Sequence, residues 1–169
     1  MSTAIPDAEI LVGIAALGLT VTGFSGLISV LGRRASGQWT ESERFQLGEL
    51  IAVSLAVTFA SFIPILVNMV QTGPSALSTA TFLIAVCHLL VLIRGALKNF
   101  SGDPSSKKMP GWVVALMLMG GLILIEGAFL ASFAVIGATA FFLVSNLLWQ
   151  LMVAAVHFVL LLMHPAADT

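Results

Sequence analysis

Residues 111–164 form a stretch of 54 residues with a single charged side chain, that of Glu126. One α-helix of that length would measure about 81 Å, whereas the hydrocarbon core of a bilayer is about 30 Å thick. The chain therefore has to reverse inside this stretch, and Gly137 in "SFAVIGAT" is the predicted turn residue. We expect two membrane-crossing helices here, with a single crossing plus a re-entrant segment as the alternative.

The composition of the whole chain also indicates a membrane protein. Of the 169 residues, 59% are hydrophobic and only 9% are charged, and the mean hydropathy is +1.08. Soluble domains carry about a quarter charged residues, so this surface has too few charges to face water. The net charge of −1 offers no basic surface for nucleic acid. Cys87 is the sole cysteine, which excludes an intramolecular disulfide.

Five apolar segments predict an all-α integral membrane bundle that forms one transmembrane domain. Thr40 and Glu43 have capping-box spacing, which places the start of the second helix near Glu41. Pro64 removes one helical hydrogen bond and predicts a kink in that helix. The predicted helices cover residues 9–31, 41–70, 78–98, 112–134 and 139–163. Four crossings with a re-entrant segment remain the alternative.

The basic residues predict the orientation in the membrane. All seven lie in or beside the first and third connections: Arg33, Arg34, Arg44, Arg94, Lys98, Lys107 and Lys108. Alternating crossings place these two connections on one side, which the positive-inside rule makes cytoplasmic. We expect the N-terminus outside and, with five crossings, the C-terminus in the cytoplasm.

Short motifs carry a resemblance to known proteins. "TGFSGL", followed by "GRR" and "WTESER", resembles the opening of small, uncharacterised bacterial integral membrane proteins, and "LLWQLMVAAVHF" is similar to their last helix. The likeness covers the general layout of the chain. It implies a multi-pass protein of the bacterial inner membrane and no particular chemistry.

Polar residues recur along single faces of the predicted helices at spacings of three, four and seven residues. Lipid offers no hydrogen bonds, so these faces should turn toward the interior of the bundle. Hydroxyl groups at this spacing commonly join helices, whereas amides and imidazoles cost more to desolvate. The candidate intramembrane residues are Glu126, Gln150, His88, Thr58, Ser61, Asn146 and His157.

Glu126 is the candidate that most needs a partner, because an acid in mid-membrane costs on the order of 2.5–3.5 kcal/mol. Counted from the cytoplasmic ends of their helices, Glu126 and Gln150 both lie about 20 Å deep. We therefore expect the carboxyl group to face the interior and to hydrogen-bond Gln150. Thr58, Ser61 and His88 are the other possible partners. The pair would lock the bundle or belong to an ion or proton relay, unless a partner protein supplies the counter-charge.

These residues lead to three functional hypotheses. The first is an oligomeric channel- or transport-type protein for ions or protons that uses Glu126 and the polar helix faces. The second is a non-catalytic membrane subunit that binds a membrane protein partner or a second copy. The third is haem binding, with His88 and His157 as axial ligands. No hydrolase, P-loop, metalloprotease or cysteine-metal motif occurs in the sequence, so we expect neither an enzyme nor a metal site.

The predicted orientation can be tested by labelling single cysteines introduced at Ser75 and Ser105 in a Cys87→Ser background. We expect the residue 75 cysteine to react with a membrane-impermeant reagent from outside the cell. The residue 105 cysteine should react only after the membrane is opened. Labelling of position 105 from outside, or equal labelling of both positions, would contradict the topology.

Overall fold

The computed structural model describes residues 8–36, 41–101, 111–133 and 138–163, which form six α-helices. They are α1 (Ala8–Ser36), α2 (Glu41–Ala60), α3 (Ile63–Val70), α4 (Pro74–Ser101), α5 (Gly111–Ser132) and α6 (Thr139–Met163). In this described part, five segments are long and apolar enough to cross a membrane, and α2 and α3 together form one of them. The predicted all-α bundle is confirmed, and it is consistent with a multi-pass membrane protein.

The predicted helix starting near Glu41 is divided in two at Pro64. Proline lacks an N–H group, and its ring clashes with the carbonyl of the residue four positions earlier, here Ala60. α2 accordingly ends at Ala60, and α3 begins at Ile63 with Pro64 in its first turn. Between them the Phe62 N–H group donates to the Phe59 carbonyl at 3.1 Å, which is a tighter turn than an α-helix makes.

Two other helix ends differ from the predicted bounds by four residues or more. α4 begins at Pro74, four residues before the predicted start, because Gly73 adopts a left-handed conformation (φ 84°) and proline suits the first helical position. α1 continues to Ser36, beyond the apolar segment that defined its prediction. Thr40, the predicted cap of α2, and Gly137, the predicted turn residue, lie outside the described residues.

α5 and α6 pack against each other as an antiparallel hairpin. The pairs that meet move steadily away from the turn: Ala131 with Thr139, Gly127 with Phe142, Leu124 with Asn146, and Gly120 with Trp149. α5 has 22 residues and α6 has 25, so each is about as long as the hydrocarbon core is thick. This arrangement supports two crossings and leaves the re-entrant alternative without support.

The remaining helices are arranged around α6, which packs against α1, α2, α4 and α5, while α3 packs on α4. Two polar contacts show that the start of α2 and the ends of α4 and α6 share one end of the bundle. Arg94 pairs with Glu49 at 3.1 Å, and His157 contacts Gln46 at 2.6 Å. The ends of α1 and α4 and the first turn of α2 carry basic residues, so we call this the basic end.

Apolar side chains fill the opposite end of the bundle. This apolar cluster consists of Leu11, Ile14, Val57, Ala60, Leu77, Ala80, Ile84, Leu143 and Leu147, all buried. Near the basic end the buried apolar cluster is smaller and consists of Leu50, Val53, Ala154 and Leu161. The large buried polar side chains lie in the basic half of the bundle: Gln46, Glu49, His88, Gln150 and His157.

Gly120 is required for the close approach of α5 and α6, and we predict that Gly120→Ala destabilises the protein. A methyl group there would overlap the Trp149 ring, and overpacking of this kind costs about 1–3 kcal/mol. Gly23→Ala is the matched control, because no atom lies within 4 Å of the position its Cβ would take. Thermal unfolding in detergent should show a lower Tm for Gly120→Ala alone. Equal melting temperatures for the two variants would contradict the packing of this hairpin.

Candidate functional site

A partly open cavity of about 90 Å³ lies between α2, α4, α5 and α6. Its polar lining consists of Glu49, His88, Trp149, Gln150 and His157, and the rest of the lining is apolar side chains, Gly95 and Ala96. The residues on each helix recur at helical spacing, which turns them toward one side. The cavity thus brings together polar groups from three helices in an otherwise apolar bundle.

The Asn146 side chain fixes the innermost part of this site. Its Nδ2 group donates to the Phe142 carbonyl at 2.8 Å and to the Leu124 carbonyl at 3.1 Å. Its Oδ1 atom lies 2.6 Å from Nδ1 of His88. Because the amide nitrogen is committed to two acceptors, Oδ1 has to accept from His88, and Nδ1 of His88 carries the proton. In the neutral imidazole, Nε2 is then a free hydrogen-bond acceptor.

The free Nε2 atom of His88 is directed toward α5 at Gly121. It lies 3.4 Å from the position that a Cβ would take there, and Nε1 of Trp149 lies 3.6 Å from the same point. A Cβ atom at Gly121 would lie only 2.5 Å from Cδ1 of Leu92, so Leu92 already occupies this position. Because Gly121 has no side chain, Nε2 of His88 and Nε1 of Trp149 both approach α5 closely.

His157 and Glu49 form the part of the cavity nearer the basic end. Nδ1 of His157 lies 2.6 Å from Oε1 of Gln46, and both residues are buried. Glu49 is buried too, and its Oε2 atom accepts a hydrogen bond from Arg94, whose side chain is 42% exposed. Arg94 thus connects the buried carboxylate to the exposed edge of the bundle and offsets its charge.

Gln150 differs from the other polar residues of the cavity. The residue is 1% exposed, yet neither Nε2 nor Oε1 has a hydrogen-bond partner among the described residues. Nε1 of the neighbouring Trp149 is also buried without a partner in this part of the chain. Native proteins leave few buried polar atoms unsatisfied, since each costs about 1–3 kcal/mol.

Two of the predicted site residues, Thr58 and Ser61, are buried but lie away from the cavity lining. The Thr58 hydroxyl group donates to the Ser54 carbonyl at 2.9 Å and lies 3.4 Å from that of Ala15. Ser61 donates to the Val57 carbonyl at 2.9 Å. Their contacts are those of hydroxyl groups that satisfy backbone carbonyls where helices pack closely.

The prediction that Glu126 faces the interior is wrong. Glu126 is exposed, and no hydrogen bond or ion pair involves it within the described part of the chain. The buried residues of α5 are Gly121, Ile125, Gly127, Ala128 and Ala131, most of them small. Small residues let neighbouring helices approach closely, and their position on α5 turns Glu126 outward.

The predicted pairing of Glu126 with Gln150 also fails because the two residues lie at different levels. The contacts along the α5–α6 hairpin place Trp149 beside Gly120, which is six residues before Glu126. Gln150 lies one residue further toward the basic end, so it is about 10 Å nearer that end than Glu126. Depths counted from predicted helix ends missed this offset, because α6 extends further toward the basic end than the start of α5.

The sequence reading missed Glu49, Gln46 and Arg94 as site residues. Gln46 and Glu49 lie in the first three turns of α2, where "ESERFQLGEL" is rich in polar residues. Their spacing of three residues, followed by Val53 four residues later, is a helical face that could have indicated an inward orientation. The pairing with Arg94 had no signal in the sequence.

The size of the cavity gives no support to the haem hypothesis. His88 and His157 both border the cavity, but its volume of about 90 Å³ is well below the roughly 300–1,000 Å³ of drug-sized ligand pockets. Among the described residues, no three His, Cys, Asp or Glu side chains are grouped to hold a metal ion.

Comparison of the chain with protein-family models, with curated proteins and with solved structures finds no match.

Proposed function

We propose that this protein is a small transport-type membrane protein that passes protons or a small solute through the cavity between α2, α4, α5 and α6. The observation that carries the proposal is the convergence of Glu49, His88, Gln150 and His157 on one cavity inside an apolar bundle. Polar and ionisable groups are costly within a membrane and commonly mark transport pathways there. A purely structural bundle would not need them at one site.

The arrangement favours a gated pathway over an open channel. The polar cavity begins near Glu49 and Gly95 and ends at His88 and Gln150. One turn beyond, Ile84 and Leu147 belong to the apolar cluster that fills the other end of the bundle. A solute that enters from the basic end therefore meets an apolar barrier, which has to open for transport to occur.

The setting that we propose is the bacterial inner membrane, with the basic end in the cytoplasm and the N-terminus outside. The resemblance of the terminal motifs and the positive-inside rule support this setting. The cavity then lies in the cytoplasmic half of the bundle. Oligomers, through a second copy of the chain, remain part of the proposal because Glu126 faces outward.

The second candidate function is that of a non-catalytic subunit that binds another membrane protein. The outward position of Glu126 favours it, since this carboxyl group lies among exposed apolar residues of α5 such as Leu122, Ile123 and Leu130. A partner helix with a hydrogen-bonding side chain would remove the carboxyl group from lipid. Under this hypothesis α5 is the contact surface and the cavity is incidental.

Proton flux into liposomes discriminates between the two candidates. We expect a pH-sensitive dye inside the vesicles to report proton entry with the wild-type protein. His88→Gln should reduce the rate by about 10²–10⁴-fold if His88 takes part in the transfer, because glutamine keeps a donor for Asn146 but cannot take up a proton. Glu126→Gln, outside the cavity, is the control and should keep the wild-type rate.

Two results would contradict transport through this cavity. One is the absence of flux of protons or small solutes through the wild-type protein, and the other is a flux lost in Glu126→Gln and retained in His88→Gln. In the first case, a co-purifying membrane protein that is lost in Glu126→Leu would establish the partner-binding alternative. In the second, the pathway would lie between subunits at α5.

A further inference from the structure

The Gln150 amide is the one fully buried side chain of the cavity whose donor and acceptor are both without partners among the described residues. Its backbone position on α6 is fixed by the packing of Trp149 on Gly120 and by the Asn146 contacts one turn earlier. Gln150 lines the cavity, and its amide carries a donor and an acceptor side by side in one plane at the cavity wall.

The chemistry of this pair selects the type of ligand. A planar amide is matched by a group that has an acceptor and a donor side by side, and two hydrogen bonds then form at once. A bare cation needs several oxygen ligands, whereas Gln150 offers one oxygen and the Glu49 carboxylate is engaged with Arg94. A bare anion would face that carboxylate. A neutral, planar, hydrogen-bonding group suits the site best.

The size of the cavity limits the ligand to a few heavy atoms. An engineered apolar cavity of about 150 Å³ holds benzene, and this cavity measures about 90 Å³. His88 and Trp149 line the same cavity, so Nε1 of Trp149 adds a donor and Nε2 of His88 an acceptor. A small polar molecule can thus be satisfied on more than one side.

We infer that the cavity binds a small neutral solute with a planar donor–acceptor pair, a primary carboxamide or a protonated short carboxylic acid, through the side chain of Gln150. Such a solute would be the cargo of the proposed transport, so the inference rests on that function for its physiological meaning. Binding itself is independent of flux and can be measured alone.

Trp149 provides the readout, because it borders the cavity beside Gln150. In a Trp39→Phe, Trp112→Phe background it is the only tryptophan, and its emission can be followed while acetamide is titrated into protein in nanodiscs. We expect a saturable change with a Kd on the order of 1 mM, as fits a ligand of four heavy atoms. N,N-Dimethylacetamide keeps the acceptor but lacks the donor, and should bind at least about tenfold more weakly.

Gln150→Leu in the same background should weaken acetamide binding by about tenfold or more, since it removes both hydrogen-bonding groups. Gln71→Leu is the matched control, because Gln71 is exposed at the other end of the bundle, and it should bind as the parent does. Gln150→Glu, whose neutral carboxyl group again offers a donor and an acceptor, should restore part of the affinity at low pH. It keeps the test valid if Gln150→Leu folds poorly.

Titration with acetic acid at pH 4.5 and pH 7 distinguishes the two ligand types, because only the neutral acid has the donor–acceptor pair. Saturation by acetamide alone identifies an amide site, and saturation by both ligands at low pH identifies a site for either group.

The inference is overturned if neither ligand gives a saturable change, which would leave Gln150 bonded to internal water only. It is equally overturned if Gln150→Leu binds as tightly as its parent. Flux without binding would reject this inference alone, and binding without flux would reject transport alone.

Discussion

The Asn146 amide is the polar contact on which the arrangement of this bundle depends, because it joins three helices from within. Its nitrogen bonds carbonyls of α5 and α6, and its oxygen holds His88 of α4. In lipid, where water cannot replace a lost partner, such a contact fixes both the register and the rotation of the helices that share it. The tautomer of His88, and with it the free acceptor facing Gly121, follows from this one amide.

The close packing of α5 follows from the same arrangement and explains where the polar groups lie. Gly120 and Gly121 admit the Trp149 ring, and Gly127 admits the Phe142 ring. With that face turned inward, Glu126 lies on the opposite side of α5, and the ionisable groups of the interior come from other helices. The cavity therefore depends on α5 mainly for the small residues that leave it room.

The sequence was sufficient for the number and type of the helices, because five apolar segments separated by polar or glycine-containing connections admit few alternatives. The face of α6 that carries Asn146, Gln150 and His157 was also predictable, since large polar side chains at a spacing of four and seven have to turn away from lipid. The rotation of α5 was not predictable in this way. Packing a whole face of small residues against neighbouring helices outweighs in free energy the burial of one carboxyl group. Helical periodicity in the sequence shows both faces but does not compare their free energies.

Partners across helices were the other limit of prediction. Pairing Glu126 with Gln150 assumed that helix ends are level, and the hairpin contacts show an offset of about 10 Å between the two residues. Glu49 and Gln46 lie close enough to a helix start to be read as headgroup residues, although α2 turns both inward. Contacts of this kind depend on the relative shift and rotation of two helices. Neither quantity can be read from the sequence of one helix alone.

A nitroxide scan of residues 121–131 in α5, in Cys87→Ser protein with one copy in each nanodisc, tests this account most directly. Collision with oxygen, which concentrates in lipid, should vary with the helical period of about 3.6 residues. We expect maxima at 122, 123, 126 and 130 and minima at 121, 125 and 128. A minimum at 126, in phase with 125 and 128, would show that Glu126 faces the interior and would contradict the arrangement described.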